Sequence, residues 1–328
     1  MTDTAPGTAP GTPAGTPAGT ALLFPGQGSQ EVGMGRDLAE AYPAARQLYN
    51  RADEILGMDL SRLCFEGPKE ELDDTINTQP AIFVTSLAML EVLRTKGKLP
   101  AAQAGNTPMA GHSLGELTAL VAAGAMEFDD GLRLVRERGR LMKLAGKRNP
   151  GGMAAVLKAE DEDVERACRE ASAQVGQPVQ IANYNSPGQV VISGHRDALE
   201  KATSLLRERG VRRIIPLAVS IAAHSPLMAV VVKEYRAAVE ATPLRRPDVP
   251  VVANISARPL LDEGEICDEL AGQLTWPVRW VASVQWMVEQ GVTRFLEVGP
   301  KDVLTKLVKR IDGSVEATNV GEMDLAGA

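Results

Sequence analysis

The 328-residue sequence predicts a mixed α/β fold, built on a mostly parallel sheet with a smaller unit inserted into it. Three observations carry that prediction. Strand-like and helix-like runs alternate over residues 21–149 and again over 218–311, the order that yields a parallel sheet covered on both faces. Residues 150–217 between them run β-α-β-β-α-β. The turn Gly111-His112-Ser113-Leu114-Gly115 links an apolar segment at Met109 to a helix-like run from Glu116 to Ala123 that stops at Gly124.

Composition bounds what such a fold does. A hydrophobic content of 44% with both charge signs mixed belongs to a globular protein able to bury a large core. The net charge of -7 argues against nucleic acid or an anionic membrane as the main partner. Cys64, Cys168 and Cys267 lie far apart, a reduced, cytoplasmic pattern with neither a metal cluster nor a disulfide framework. Residues 1–20 repeat Ala, Pro, Gly and Thr and read as a disordered tail with no leader sequence. No apolar run is expected to cross a bilayer.

Ala21 to Phe24 reads as a buried strand, and Pro25-Gly26-Gln27-Gly28-Ser29-Gln30 as the loop at its carboxyl end, where α/β sheets hold ligands. Its spacing matches neither GxGxxG nor a P-loop, so backbone N–H donation fits better than a phosphate cradle. Helices are expected at about 36–50, 68–76 and 80–95. From Asp129 to Ala145 a helix follows, with Leu134, Val135, Leu141, Met142 and Ala145 on its apolar stripe. Arg138 falls inside that stripe. A buried guanidinium needs an anion: either a structural carboxylate such as Glu116 or a carboxylate on the substrate.

In the insert, Met153 to Leu157, Val179 to Asn183, Gln189 to Ser193 and Arg213 to Leu217 read as strands, with helices over 161–174 and 198–209. That order is the split pattern of a ferredoxin-like unit. The larger unit resumes at Val219. Strands are expected at 249–254 and 294–298, helices to about Glu240 and at 265–274, 280–290 and 302–310, and a tail over 312–328.

A serine between two glycines suits a sharp strand-to-helix turn that lifts its hydroxyl clear and sets it beside the free N–H groups of a helix start. The alternative is a serine that only caps the helix. A nucleophilic serine needs a base, and the sequence offers three histidines. His112 precedes Ser113 on the strand and should point the other way; His195 sits at a helix start; His224 lies in a loop re-entering the larger unit. His224 is therefore the expected base. No acid is evidently placed to orient it, which leaves a full triad or a dyad helped by an amide or a main-chain carbonyl.

Phe24-Pro25-Gly26-Gln27-Gly28-Ser29-Gln30, Gln79-Pro80, Gly111 to Glu116, Arg138-Gly139, Asn185-Ser186-Pro187-Gly188-Gln189, the Ser220 to His224 loop and Glu297-Val298-Gly299-Pro300 occur in an order that resembles the malonyl-CoA:acyl carrier protein transacylases. The resemblance covers about residues 21–311. It implies an α/β-hydrolase-like core, formed by 21–149 and 218–311, with a ferredoxin-like subdomain at 150–217. It implies Ser113 as the nucleophile, His224 as general base and later acid, and the backbone N–H groups of Gln27 and Leu114 as the oxyanion hole. Arg138 matches the residue that pairs with the malonyl carboxylate, and Gln273 the one whose carbonyl orients the histidine. Malonyl-CoA and acyl carrier protein are the implied partners, with no cofactor or metal and with a monomer sufficient for the reaction.

Two departures bear on the acyl group. Ala223 stands where such enzymes usually carry Ser or Phe, which makes it a specificity candidate open to an α-methyl group, whereas Leu114 favours malonyl. Lys301 replaces a common glycine and is expected to be peripheral. A methylmalonyl or other extender-unit transferase acting on a polyketide synthase is one alternative, a serine thioesterase or hydrolase another, and a noncatalytic carrier-protein-binding module a third.

Overall fold

The computed structural model describes residues 19–99, 107–219 and 221–322. Residues 1–18 of the expected N-terminal tail, Ser220, and 323–328 of the expected C-terminal tail lie outside the described residues. The first strand, β1 (Gly19–Phe24), begins two residues earlier than expected.

β1 is the middle strand of a five-stranded sheet. The strands follow it as β2 (Met109–Gly111), β7 (Val251–Val252), β8 (Val292–Glu297) and β9 (Glu316–Asn319), in the order β7-β2-β1-β8-β9, with every pairing parallel. Alternation along β1 sends Leu22 and Phe24 into one apolar core and Ala21 and Leu23 into another, so both faces need helices. The first layer includes α1 (Arg36–Ala41), α2 (Pro43–Leu56), α3 (Leu60–Glu66), α4 (Lys69–Leu72), α5 (Thr75–Thr95), α6 (Leu114–Ala122) and α7 (Phe128–Arg148).

Two stretches depart from expectation in this layer. The helices expected at 68–76 and 80–95 are instead the four-residue α4 and a 21-residue α5 that runs through Pro80. Proline has no N–H for the Ile76 carbonyl four residues back; Arg136 Nη1 donates to that oxygen instead, at 2.6 Å, and the helix continues. By length and composition α5 is also apolar enough to cross a bilayer, contrary to expectation, but 78% of its apolar window lies inside the fold. It is the central core helix.

The insert forms a second sheet from β3 (Gly151–Leu157), β4 (Val179–Ser186), β5 (Gln189–His195) and β6 (Arg213–Pro216), ordered β4-β5-β3-β6 and antiparallel throughout. Val156, Ile181, Ile192 and Ile214 turn one face to α8 (Asp161–Val175) and α9 (Arg196–Glu208), forming a separate core. The sheet joins the larger unit through β4. Tyr184 N–H donates to the Val278 carbonyl at 2.9 Å, and Val278 N–H to the Ala182 carbonyl at 2.8 Å.

The chain returns through a 3₁₀ turn (Pro226–Met228), α10 (Ala229–Glu240), α11 (Glu263–Gln273), α12 (Trp280–Glu289) and α13 (Val303–Ile311). The strand expected over 249–254 contracts to the two residues of β7. Part of the expected tail over 312–328 is β9, paired along β8, with Ala317 and Val320 buried. Glu-Ala-Thr-Asn carries no apolar alternation of its own. The strand forms because β8 offers a free edge and Asn319 Nδ2 donates to the Gly299 carbonyl at 3.0 Å.

Candidate active site

Ser113 lies between β2 and α6 with φ 54° and ψ -108°, a conformation that costs a residue with a side chain about 1–3 kcal/mol. The residues two positions before and after it must be glycine. A Cβ on Gly111 would sit 1.8 Å from the Gly115 carbonyl carbon, and one on Gly115 2.0 Å from the Phe24 carbonyl oxygen. The bend is thus a tight strand-to-helix elbow pressed against the end of β1, where a capping serine would need no such strain.

Ser113 Oγ is 2.8 Å from His224 Nε2, and His224 Nδ1 is 2.7 Å from the Gln273 carbonyl oxygen. A carbonyl only accepts, so Nδ1 carries the proton and Nε2 is left with a lone pair facing the hydroxyl. This is a dyad oriented by a main-chain carbonyl. His224 is buried, and burial, followed by the nearby positive charge of Arg138, lowers its pKa to about 3 against the pull of the Gln273 carbonyl. The imidazole is neutral at physiological pH, the form a general base requires.

Arg138 projects from α7 into the core and is 1% exposed. Nη1 donates to Gln79 Oε1 at 2.7 Å, and Nη2 to Gln273 Oε1 at 2.7 Å and to Ser113 Oγ at 3.1 Å. Among the described residues Nε has no hydrogen-bond partner. Among the described residues no carboxylate lies within ion-pair distance of this guanidinium. Glu116, the structural partner considered for it, turns elsewhere: Oε1 accepts from Asn254 N–H at 2.8 Å, and Oε2 from Gln273 Nε2. Burial and the adjacent Glu269 push the Glu116 pKa well above the usual carboxylate range, against the pull of the Asn254 and Gln273 N–H donors and the Arg138 charge.

Gln27 lies on the exposed loop after β1, its Oε1 accepting from Thr75 Oγ1 at 2.9 Å. A Cβ on Gly26 would approach the His112 carbonyl oxygen to 2.4 Å and Leu114 N to 3.8 Å, so this loop lies against the elbow and the first N–H of α6. Lys301 is less remote than expected. It adopts φ 59°, which explains why a glycine suits the position, and its ammonium donates to the Gln30 carbonyl at 2.8 Å on the Gln27 loop.

The other histidines stand apart from the serine. His112 Nε2 pairs with Asn185 Oδ1 at 2.8 Å, and His195 caps α9, its Nδ1 accepting from Asp197 N–H at 3.3 Å. Ala223 is half-buried beside His224 and packs on the larger core. Gln79 and Asn254 join the site without an expected role. Gln79 was visible only as part of a motif, whereas Asn254 has no local signature.

Residues 21–328 match a family model described as an acyl transferase domain. The chain is 42% identical over 302 residues to the malonyl CoA-acyl carrier protein transacylase of Bacillus subtilis, covering 92% of this chain and 93% of the relative. The Escherichia coli enzyme of that name is 42% identical over 303 residues, covering 92% and 96%. Among solved structures, an acyl carrier protein S-malonyltransferase from Vibrio cholerae superposes with a TM-score of 0.86 at 42% identity, covering 92% of this chain and 96% of that one. A malonyl-transacylase solved with its type II polyketide synthase acyl-carrier protein gives 0.88 at 40% identity, covering 94% and 97%.

Proposed function

The chain belongs to the acyl transferase family of the malonyl-CoA:acyl carrier protein transacylases, and we propose that Ser113, His224 and Arg138 carry out its transfer by a ping-pong route. The enzyme is an acyltransferase that moves malonyl from malonyl-CoA to the phosphopantetheine thiol of acyl carrier protein. The observation that carries the assignment of residues is the buried Arg138 guanidinium, free of any carboxylate among the described residues and 3.1 Å from Ser113 Oγ. Malonyl has a single methylene between thioester carbonyl and carboxylate. A cation in contact with the nucleophile suits that short reach.

Ser113 Oγ attacks the thioester carbonyl while its proton passes to His224 Nε2. The oxyanion is held by the N–H groups of Gln27 and Leu114, each worth about 2–4 kcal/mol of barrier. Collapse breaks the C–S bond, and His224 returns the proton to the CoA thiolate, leaving a malonyl ester on Ser113. The carrier thiol then gives its proton to Nε2 and attacks the ester, and the released Ser113 oxygen takes the proton back. The Gln273 carbonyl stabilises the imidazolium formed in each half. No cofactor enters this chemistry, and one chain supplies every group, so a monomer suffices. Three free cysteines fit a cytoplasmic setting.

Intact-protein mass after brief mixing with malonyl-CoA, methylmalonyl-CoA or acetyl-CoA tests the route. A malonyl adduct is expected on the wild type and not on Ser113→Ala, with little adduct from acetyl-CoA. An adduct on Ser113→Ala would refute the nucleophile, an equal methylmalonyl adduct would mark Ala223 as having widened the pocket, and steady release of malonate in excess of transfer would favour a hydrolase.

A further inference from the structure

We infer that Asn254, between β7 and α11, is the positioning residue that holds the nucleophile elbow in its strained form, an inference that rests on Ser113 being the nucleophile. Its side chain bridges two backbone groups on the strand side of the bend. Asn254 Oδ1 accepts from Ser113 N–H at 2.7 Å, and Nδ2 donates to the Gly111 carbonyl at 2.7 Å. Both atoms are buried with a residue that is 1% exposed. Its amide offers an acceptor and a donor at once, one to each of two backbone groups two residues apart.

The clasp is itself anchored. Glu116 Oε1 accepts from Asn254 N–H at 2.8 Å and from Nδ2 at 3.3 Å. The other Glu116 oxygen accepts from Gln273 Nε2, which also donates to the Ser113 carbonyl at 3.1 Å. The peptide units on both sides of Ser113 are thereby tied to Asn254 and to Gln273, the residue whose carbonyl holds the base and whose side chain meets Arg138.

One chemical consequence follows for the oxyanion. Because the Ser113 N–H is spent on Asn254, it does not donate to the tetrahedral intermediate, and the burden falls on Leu114 and the Gln27 loop. Without Asn254 the Ser113 peptide relaxes toward ordinary backbone angles, and Oγ leaves its line to Nε2. A displacement on the order of 1 Å costs about 100-fold in rate.

The test uses the full chain and two readouts: the rate of malonyl-Ser113 formation from malonyl-CoA, and the rate of Ser113 labelling by phenylmethylsulfonyl fluoride, which needs no malonyl chemistry. Asn254→Ala is expected to slow both about 100-fold with the KM for malonyl-CoA within about twofold, since Arg138 is untouched. Asn254→Asp keeps the acceptor and loses the donor, and is expected to slow both about tenfold, the size of one buried hydrogen bond. Ser283→Ala, a buried neighbour whose hydroxyl lies 3.4 Å from the Ala253 carbonyl, controls for packing and should keep both rates. Wild-type rates in folded Asn254→Asp, or equal slowing in Ser283→Ala, would overturn the assignment. Failure of the malonyl readout in the wild type, with the sulfonyl readout still Asn254-dependent, would refute the proposed substrate and leave the clasp standing.

Discussion

The two sheets divide the labour of the molecule unequally. The parallel sheet ends strands β1 and β2 at one edge, so the Gln27 loop and Ser113 emerge side by side, with Asn254 two residues beyond β7. The antiparallel sheet of the insert offers no side chain to the serine and touches the site only at its back. Gln180 Nε2 donates to the His224 carbonyl at 2.8 Å and to the Thr275 carbonyl at 3.0 Å, and Asn185 holds His112. The lesson is topological: parallel strands direct their carboxyl ends to one edge and converge loops there, whereas antiparallel strands spread theirs over two edges and serve as a buttress.

The sharpest way to break that division is at the guanidinium. Arg138→Ala is expected to lower kcat/KM for malonyl-CoA by about 100- to 1,000-fold, the range for a buried charge-assisted contact, while raising activity with acetyl-CoA relative to malonyl-CoA. An unchanged preference would remove the clamp. The same variant probes the base. Burial and the Arg138 charge both depress the His224 pKa to about 3, so the wild-type acylation rate should stay level as pH falls through 6 and decline only well below it. Deleting the charge raises that pKa, and the acid limb should move upward in pH. Folding linkage runs in the same sense: the unfolded histidine binds a proton near pH 6.5 and the folded one refuses it, so this residue's contribution to stability is present above that pH and is lost as pH falls toward 3.

A smaller effect is expected from the buttress. Gln180→Ala should lower kcat about threefold to tenfold with little change in KM, by loosening the main chain that carries His224. A loss as large as that of Arg138→Ala would mean that the insert shares in the chemistry. Smallest of all, Lys301→Gly exchanges a half-solvated tie to the Gln27 loop for relief of the positive φ, and the rate should change less than about threefold. A tenfold loss in kcat would instead make Lys301 a support of the oxyanion loop.

Much of the site was legible because its determinants are local. Gly111 and Gly115 flank Ser113 since any Cβ there collides with backbone within a few residues or on the adjoining strand, and that steric demand is written in five consecutive letters. Arg138 announced itself through helical periodicity, as the one charge within an apolar stripe. His224 emerged because the chain has only three histidines and two sat in places that pointed away from the serine. The alternation of strands and helices gave the parallel sheet, and the β-α-β-β-α-β order the second one.

Other features depended on residues distant along the chain. Pro80 reads as a helix break, yet Arg136, 60 residues beyond Ile76, repairs the missing bond. Residues 316–319 lack the pattern of a strand and become one against the edge of β8. Glu116 has the charge to pair with Arg138, but its oxygens accept instead from Asn254 N–H and Gln273 Nε2, groups that lie 138 and 157 positions further along the chain. Asn254 meets Ser113 across 141 positions of chain. Apolar periodicity and the steric needs of glycine are properties of short segments, and the sequence alone determines them. Hydrogen bonds are directional and join whichever groups the packed elements bring together, so the partners of Ser113, His224 and Arg138 were decided only when the two layers of helices closed over the sheet.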